Sequence, residues 1–255
     1  MIHFLTGGVL MKVHIRIKHT GEFYDPSCYA AYTGCQELEI PVEPYKVVYS
    51  ITDEDPKNPV VGTFSDVKVA LERFGVKLDP LDYPEELLPF MGRKVWRSTL
   101  FTITSHPEDW HVFVKPVDDI KRFHGTVLDK SEDLIKLGGG LEDIEVWCST
   151  KVHFISEWRL WVLHGEIMGL NPYKGRWDVF PDPEVLKKAV AAYQSAPAGY
   201  ALDFGVTDDG RTLLVEVSDG YGLASFGLKS FKYMQILIAR WQELIKDVKY
   251  VPSDE

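Results

Sequence analysis

Two acidic residues, Asp203 and Glu216, lie thirteen positions apart on either side of a turn. Residues 200–206 and 212–217 have the apolar character of two strands, and Asp209-Gly210 between them is typical of a hairpin tip. Antiparallel pairing would bring the two carboxylates side by side, where they repel unless a cation separates them or one is protonated. Such hard oxygen ligands suit Mg²⁺, which shares its shell with substrate phosphates. The alternative is an ordinary hairpin with outward-facing acids.

Two lysines follow another apolar segment. Lys115 ends the run of residues 112–114 and precedes Pro116, and Lys121 lies in the loop beyond. Two ammonium groups in these positions suit a polyphosphate, although lysines also end strands on surfaces that bind nothing. The sequence contains no Gly-x-x-x-x-Gly-Lys-Ser/Thr stretch, which excludes a P-loop, and the triple glycine at 138–140 is better explained as a helix stop.

A third pair of residues with opposite charge is Glu157 and Arg159. In residues 155–162 the alternation of a strand puts these two side chains on one face and Trp158, Leu160 and Val162 on the other. The acid and the guanidinium form either a structural ion pair or part of a phosphate site, and the spacing alone does not decide between them.

The elements that carry these residues fall into two parts. In the first part, the sequence predicts strands at 12–18 and 47–51 and a helix that Ser65 caps and Gly75 ends. A proline-rich stretch, residues 79–89, follows and leads to Gly92, which makes it the best candidate for a domain boundary. A small α/β unit is therefore expected over the first ninety or so residues.

The second part alternates strands and helices in a different way. Strands are predicted at residues 99–104, 111–115, 145–150, 154–163, 166–170, 200–206 and 212–217, and helices at 131–137, 182–196 and 230–246. Many antiparallel strands with segregated helices indicate an α+β fold rather than a doubly wound sheet.

Composition limits the class of protein. The chain has 255 residues, with 28 Lys+Arg against 38 Asp+Glu, and its net charge of −10 disfavours nucleic acid as a partner. No apolar run reaches the length of a membrane span, and residues 1–5 lack the basic start of a signal peptide, although Met11 is an alternative start. Cys28, Cys35 and Cys148 have no zinc-type spacing. A cytoplasmic protein without a membrane partner is expected.

In their order along the chain, these features resemble the ATP-grasp fold, in which two α+β lobes clasp ATP. The nearest resemblance is to its R-two-K clade, named for an arginine and two lysines, over residues 92–232. The motifs that carry it are Phe113-Val-Lys115-Pro116, Lys121-x-Phe123-x-Gly125, Ser156-Glu157-Trp158-Arg159, Ala201-Leu-Asp203-Phe-Gly-Val and Val215-Glu216-Val-Ser218-Asp219-Gly-Tyr221.

The resemblance implies a role for each of these positions. Lys115 and Lys121 would contact the ATP phosphates, and Arg159 would stabilise the transferred phosphoryl group. Asp203, Glu216 and Ser218 would hold Mg²⁺. The nucleotide would also contact Glu157 and Lys174, although an exposed turn lysine has the same sequence pattern. The hinge that pairs its backbone with the adenine edge would consist of Glu145, Val146, Trp147 and Cys148.

Two departures from the family pattern bear on activity. Most relatives have asparagine where this chain has Ser218, a weaker ligand that Asp219 would have to compensate. Ala201 stands where an arginine is often found, two residues before the metal-binding aspartate. Arg159, Arg93 or Arg97 would then neutralise charge in the transition state, and without one of them the protein would bind nucleotide but not turn it over.

The activity implied by the resemblance is that of an ATP- and Mg²⁺-dependent ligase. It would join a carboxylate substrate, a small molecule or a peptide, to an amine, or else to a thiol or hydroxyl, through an acylphosphate. The alternatives are a nucleotide-binding regulatory module and an ATP-grasp phosphotransferase. The implied architecture is a pre-ATP-grasp-like domain at 1–92 and an ATP-grasp domain at 93–255, with a small lobe at 93–145 and a large lobe at 146–255. A homodimer is the commonest arrangement of soluble enzymes.

Overall fold

The N-terminal sheet has three parallel strands. The computed structural model describes residues 11–52, 55–117, 123–137 and 142–249. The strands are β1 (Val13–Arg16), β2 (Val42–Tyr45) and β3 (Val60–Val61), in the order β2-β1-β3, and the helices of this part are α1 (Pro26–Glu37) and α2 (Phe64–Arg73). This agrees with the small α/β unit expected from the sequence.

Two details of this part differ from the prediction. The second strand is β2 rather than residues 47–51, where Val48–Ser50 forms a short 3-10 helix. Strand β1 pairs with β2 on one side and with β3 on the other. Both edges of β1 are therefore occupied, and residues 47–51 have no position beside it. Helix α2 is capped by Thr63 rather than Ser65, because Thr63 and Asp66 form a reciprocal capping box. The predicted stop at Gly75 is confirmed by its φ of +74°.

A four-stranded antiparallel sheet follows. It consists of β4 (Val95–Thr99), β5 (Val112–Pro116), β6 (Thr126–Leu128) and β7 (Glu145–Thr150), in the order β4-β7-β5-β6. The strand predicted over residues 99–104 is wrong, because α3 (Leu100–Ser105) begins there. The Thr99 side chain accepts a hydrogen bond from the Thr102 backbone and caps that helix. The predicted helix at 131–137 is a 3-10 helix, Ser131–Leu137.

A second antiparallel sheet carries the remaining strands. These are β8 (Phe154–Leu163), β9 (Glu166–Gly175), β10 (Gly199–Thr207) and β11 (Thr212–Asp219), in the order β11-β10-β8-β9, with helices α4 (Pro183–Ala192) and α5 (Ser230–Ile245). The α+β class is therefore confirmed. Within the described ranges, no helix has both the length and the apolar character needed to cross a membrane.

The two faces of this second sheet have different neighbours. Leu160, Leu202 and Phe204 belong to a buried cluster with residues of α4 and of the 3-10 helix Glu85–Phe90. On the opposite face, Trp161 and Ala201 pack in a cluster with residues of α1 and α5. Of the residues predicted to do chemistry, Glu157, Arg159, Asp203, Glu216 and Ser218 lie on this second face, next to its apolar patch.

The N-terminal unit is joined to the second sheet through helices α1 and α5. Their approach is close at Gly34, where an added Cβ would lie 2.3 Å from the backbone oxygen of Ser230. Any side chain at position 34 would clash with α5, so the close α1–α5 contact depends on glycine there. The contact fixes the N-terminal unit beside the face that carries the polar residues.

Candidate functional site

A cleft of about 470 Å³ contains four of the predicted site residues in its lining. It is bordered by the segment between the N-terminal unit and β4, by the end of β5 and by the end of β11 with the loop after it. Its lining includes Asp82, Lys115, Arg159, Glu216, Ser218, Tyr221 and Phe226. A larger open groove of about 1100 Å³ between α4 and α5 contains none of the predicted site residues.

Asp203 and Glu216 face each other across the β10–β11 ladder. They are register partners, as the sequence predicts, and a bulge directly after Asp203 shifts the register. Asp203 is 1% exposed, so this acid does not face outward as it would in an ordinary surface hairpin. The Glu216 side chain is 41% exposed and lines the cleft.

Arg159 forms a buried bidentate ion pair in the site. Its Nε and Nη2 donate to the two carboxylate oxygens of Asp203, both at 2.7 Å, and Nη2 also donates to the Ser218 hydroxyl at 3.3 Å. Burial raises the pKa of Asp203 to about 6, against the lowering effect of Arg159. At neutral pH the pair is therefore ionised, and both carboxylate oxygens are engaged by the guanidinium.

Glu157 lies on the same face but pairs with other residues. Its carboxylate accepts hydrogen bonds from Lys174 at 2.5 Å and from the Tyr173 hydroxyl at 2.9 Å. Burial, followed by the charges of Asp203 and Glu157, raises the pKa of Tyr173, which keeps the phenol protonated. Glu157 and Arg159 thus share a face as predicted, yet each has a different ionic partner.

Lys115 is enclosed by groups from three segments. Its Nζ lies 3.4 Å from Asp82 and 3.8 Å from Glu216, and 4.5 Å from the centre of the Tyr83 ring. Burial alone would lower the pKa of this lysine. The Tyr83 hydroxyl, Glu216 and Asp82 outweigh that effect and raise the pKa, so the ammonium stays charged. Lys121, the second predicted lysine, lies outside the described residues.

The predicted hinge is part of a central strand. β7 pairs with β4 on one side and with β5 on the other, so the backbone of Glu145, Val146, Trp147 and Cys148 lies within the sheet. The backbone that was expected to pair with the adenine edge is thus engaged in ladders with β4 and β5. Val146 and Cys148 point into the core, whereas Trp147 donates from Nε1 to Asp82 at 2.6 Å. Residues 151–153 form the connection to β8.

Arg93 and Arg97, the two other arginines considered for the transition state, contact different groups. Arg93 donates to the backbone oxygens of Leu214 and Val215 at 2.6 and 2.8 Å, where it holds the bulged strand just before Glu216. Arg97 lies over the Trp147 ring and is about half exposed.

Asp219 lines the cleft, but both of its carboxylate oxygens are engaged by another residue. It forms a bidentate pair with Arg240 at 2.6 and 2.7 Å, and its register partner is Tyr200. The suggested compensation for Ser218 stays a prediction, and it requires Asp219 to share an oxygen with Arg240.

Several residues of the cleft were not singled out from the sequence. Asp82 and Tyr83 belong to the proline-rich stretch that the sequence marks as a boundary, and no motif distinguishes them. Phe226 stacks on Tyr173 at 5.2 Å and 12°, and the Arg159 guanidinium lies 4.8 Å from the Phe226 ring centre. The aromatic content of the loops gave a general signal for such a contact, but not these pairings.

The donor chemistry of the site fits a divalent cation that is shared with a ligand. Within the described ranges, no group of three or more His, Cys, Asp and Glu residues is arranged to hold a metal alone. Asp203, Glu216 and Ser218 offer two carboxylates and a hydroxyl on neighbouring positions of one face. Mg²⁺ is commonly held by one or two carboxylates together with phosphate oxygens, which is the donor set available here.

Comparisons with known proteins identify the family and the fold of the chain. The family model of the ATP-grasp domain, R-two-K clade family 2, matches residues 90–236. D-cycloserine synthetase has a similar structure, with 14% identity, a TM-score of 0.56, and coverage of 90% of this chain and 99% of its own. D-alanine–D-alanine ligase from Bacillus anthracis, complexed with ATP, has 14% identity, a TM-score of 0.50, and coverage of 93% and 96%.

A macrocyclase from Microcystis aeruginosa bound with its precursor peptide also has 14% identity and a TM-score of 0.50, over 89% of this chain and 99% of its own. A search of curated proteins gave no match. At these identities the solved structures support the fold. The family model covers more than half of the 255 residues, and the chain therefore belongs to the R-two-K clade of ATP-grasp domains, family 2.

Proposed function

We propose that the protein is an ATP- and Mg²⁺-dependent ligase that joins a carboxylate to an amine through an acylphosphate. The observation that carries the proposal is the cleft lined by Lys115, Arg159 and Glu216, in which Arg159 is bonded to the buried carboxylate of Asp203. A site that transfers a phosphoryl group needs cations for the phosphates and oxygen ligands for a metal.

The proposed nucleotide site uses residues of both four-stranded sheets. Lys115, at the end of β5, would bind phosphate oxygens as a point charge, and Arg159, on β8, would bind the transferred group with its planar fork. Support comes from the family and from the ATP complex of the Bacillus anthracis ligase, which shares the fold. Trp147, rather than the backbone around it, is the contact that we propose from β7.

Asp203, Glu216 and Ser218 would hold Mg²⁺. Asp203 must then share an oxygen that Arg159 now occupies, whereas Glu216 is already exposed to the cleft. When bound, the metal would screen the charge of the nucleotide phosphates. Release of Arg159 from Asp203 would free its guanidinium for the phosphoryl group, which gives the buried ion pair a place in the reaction.

The chemistry itself would be electrostatic. A substrate carboxylate attacks the γ-phosphorus of ATP, the bond to the β-phosphate oxygen breaks, and ADP and an acylphosphate result. An amine then displaces phosphate and forms the amide. Lys115 and Arg159 would stabilise the charge that develops on the phosphoryl oxygens, and their burial strengthens this effect because little water competes.

The remaining expectations form part of the same proposal. The N-terminal unit, residues 1–92, would read the substrate together with the loop 221–226, and an ATP-grasp domain at 93–255 would bind nucleotide. The substrates would be a small-molecule or peptide carboxylate and an amine. A cytoplasmic location and a homodimer are proposed from the composition and from the commonest oligomeric state.

One observation favours a second candidate, a nucleotide-binding module without turnover. Both oxygens of Asp203 are bonded to Arg159, and Ser218 accepts a bond from the same guanidinium. If this arrangement persists with nucleotide bound, neither metal ligation by Asp203 nor catalysis by Arg159 takes place.

A phosphorus NMR experiment separates these functions. Purified protein is incubated with Mg·ATP and with pools of carboxylic acids, amino acids and amines. Formation of ADP and phosphate that requires a pool supports the ligase, and division of the pool then identifies both substrates. Transfer of phosphate to one acceptor without an amine supports a phosphotransferase. Broadened ATP signals without turnover support the binding module, and unchanged ATP signals contradict all three functions.

A further inference from the structure

Asp82 is built into the cleft by contacts on two sides. One carboxylate oxygen lies 3.4 Å from Lys115 Nζ, and the other accepts a hydrogen bond from Trp147 Nε1 at 2.6 Å. The side chain is only 14% exposed. Its backbone has a φ of +38°, a left-handed conformation that aspartate and asparagine adopt more readily than most residues. The segment is therefore shaped to direct this carboxylate at Lys115.

Lys115 already has two carboxylates and an aromatic ring as neighbours. An ammonium group offers three donors, and here it faces Asp82, Glu216 and the Tyr83 ring. Tyr83 is 8% exposed and packs in the apolar cluster of the second sheet. Glu216 lies on β11, and Arg93 holds the strand just before it through two backbone oxygens. Of the two carboxylates beside Lys115, Glu216 is part of a strand, whereas Asp82 lies in a connecting segment.

We propose that Asp82 is an internal counter-anion of the nucleotide site and determines its selectivity. It lies beside Lys115 in the position that a phosphate group would take, so a phosphorylated nucleotide must displace it. The inference rests on the proposed nucleotide site. A nucleoside without phosphate does not compete for Lys115 and leaves Asp82 in place. Asp82 thereby weakens the binding of nucleotides through their phosphates while it does not affect the binding of the nucleoside.

The experiment compares Asp82→Asn with the wild-type protein by isothermal titration calorimetry. Asparagine keeps the oxygen that accepts from Trp147 and tolerates the left-handed backbone, so the fold is preserved. The control is Glu184→Gln, which removes the same charge from an exposed pair with Lys187 on α4. The probes are Mg·ATP, ATP with EDTA, and adenosine, and a thermal melt of each variant verifies that it is folded.

The expected result is that Asp82→Asn binds ATP at least about tenfold more tightly, with and without Mg²⁺, because two anions within a few ångströms repel strongly in a partly buried site. Its affinity for adenosine changes less than about twofold, and Glu184→Gln resembles the wild type. A variant that binds ATP equally well or more weakly overturns the inference, as does an equal gain for adenosine. If neither protein binds ATP, the proposed function fails as well, whereas binding by the variant alone supports the inference.

Discussion

Replacement of Arg159 by methionine should destabilise the protein in a pH-dependent way. The change leaves Asp203, which is 1% exposed, without the two hydrogen bonds at 2.7 Å that now compensate its charge. Removal of one partner from a buried ion pair typically costs about 3–5 kcal/mol. For a chain of this size each kcal/mol lowers the melting temperature by roughly 2–4 °C.

The pH dependence follows from the pKa of Asp203. In the folded protein it is raised to about 6 from the ordinary value of 3.8, chiefly by burial, and Arg159 opposes the rise. Without Arg159 the pKa rises further. A raised pKa stabilises the folded state at low pH, and this contribution is lost as the pH increases through the folded pKa. The stability difference between the variant and the wild type should therefore widen above pH 6, by up to about 1.4 kcal/mol for each unit of additional shift.

The measurement is urea unfolding of both proteins between pH 5 and pH 8.5 in EDTA, so that no metal occupies the site. The double variant Arg159→Met, Asp203→Asn serves as the control, because it has no buried carboxylate to titrate. The reasoning is refuted if Arg159→Met loses the same free energy of unfolding at pH 5 and at pH 8.5. It is also refuted if the double variant shows the same widening with pH.

Three further predictions concern the cleft and the thiols. Asp203→Asn combined with Glu216→Gln should abolish Mg²⁺-dependent nucleotide binding and leave the circular dichroism spectrum unchanged; calorimetry that finds unchanged ATP affinity would contradict the metal assignment. Lys115→Ala should weaken ATP by at least about tenfold and adenosine much less, and an equal loss for both ligands would remove Lys115 from the phosphate site. Burial raises the pKa of the thiols of Cys28, Cys35 and Cys148 to about 12, about 12 and about 11, so Ellman's reagent should react slowly until denaturant is added. Fast reaction of the native protein would show an accessible thiolate.

The sequence predicted best where local periodicity and tertiary packing agree. β8 has alternating side chains over its whole length, so the polar face with Glu157 and Arg159 and the apolar face with Leu160 could be assigned without a structure. The hairpin could also be located from its Asp-Gly tip. The register that starts at Val206 and Thr212 would pair Asp203 with Val215, and the bulge after Asp203 brings Glu216 opposite it instead. Short-range signals thus placed the two acids on neighbouring strands, whereas their direct pairing depends on the bulge.

The sequence failed where a residue's surroundings come from distant segments. Residues 99–104 have the composition of a strand, yet Thr99 caps a helix whose buried residues Leu100 and Ile103 pack on the sheet. Residues 145–148 are extended as predicted, but only the sheet order shows that strands flank them on both sides. Asp82 contacts Lys115 and Trp147 across separations of more than thirty positions, and no local pattern encodes such contacts.

The two departures from the family pattern are one structural feature rather than two. Ala201 and Ser218 are register partners on β10 and β11, so both substitutions affect the same pair of neighbouring positions. Ala201 is fully buried among residues that include Tyr233 and Met234, where a guanidinium would have no water. Arg159 reaches Asp203 and Ser218 from the adjacent strand β8 instead. The positive charge beside Asp203 is that of Arg159, which belongs to the family pattern, and the Ser218 hydroxyl accepts a hydrogen bond from it. Under the proposed function, Arg159 would link the metal ligands Asp203 and Ser218 to the phosphoryl group, because it bonds to both side chains.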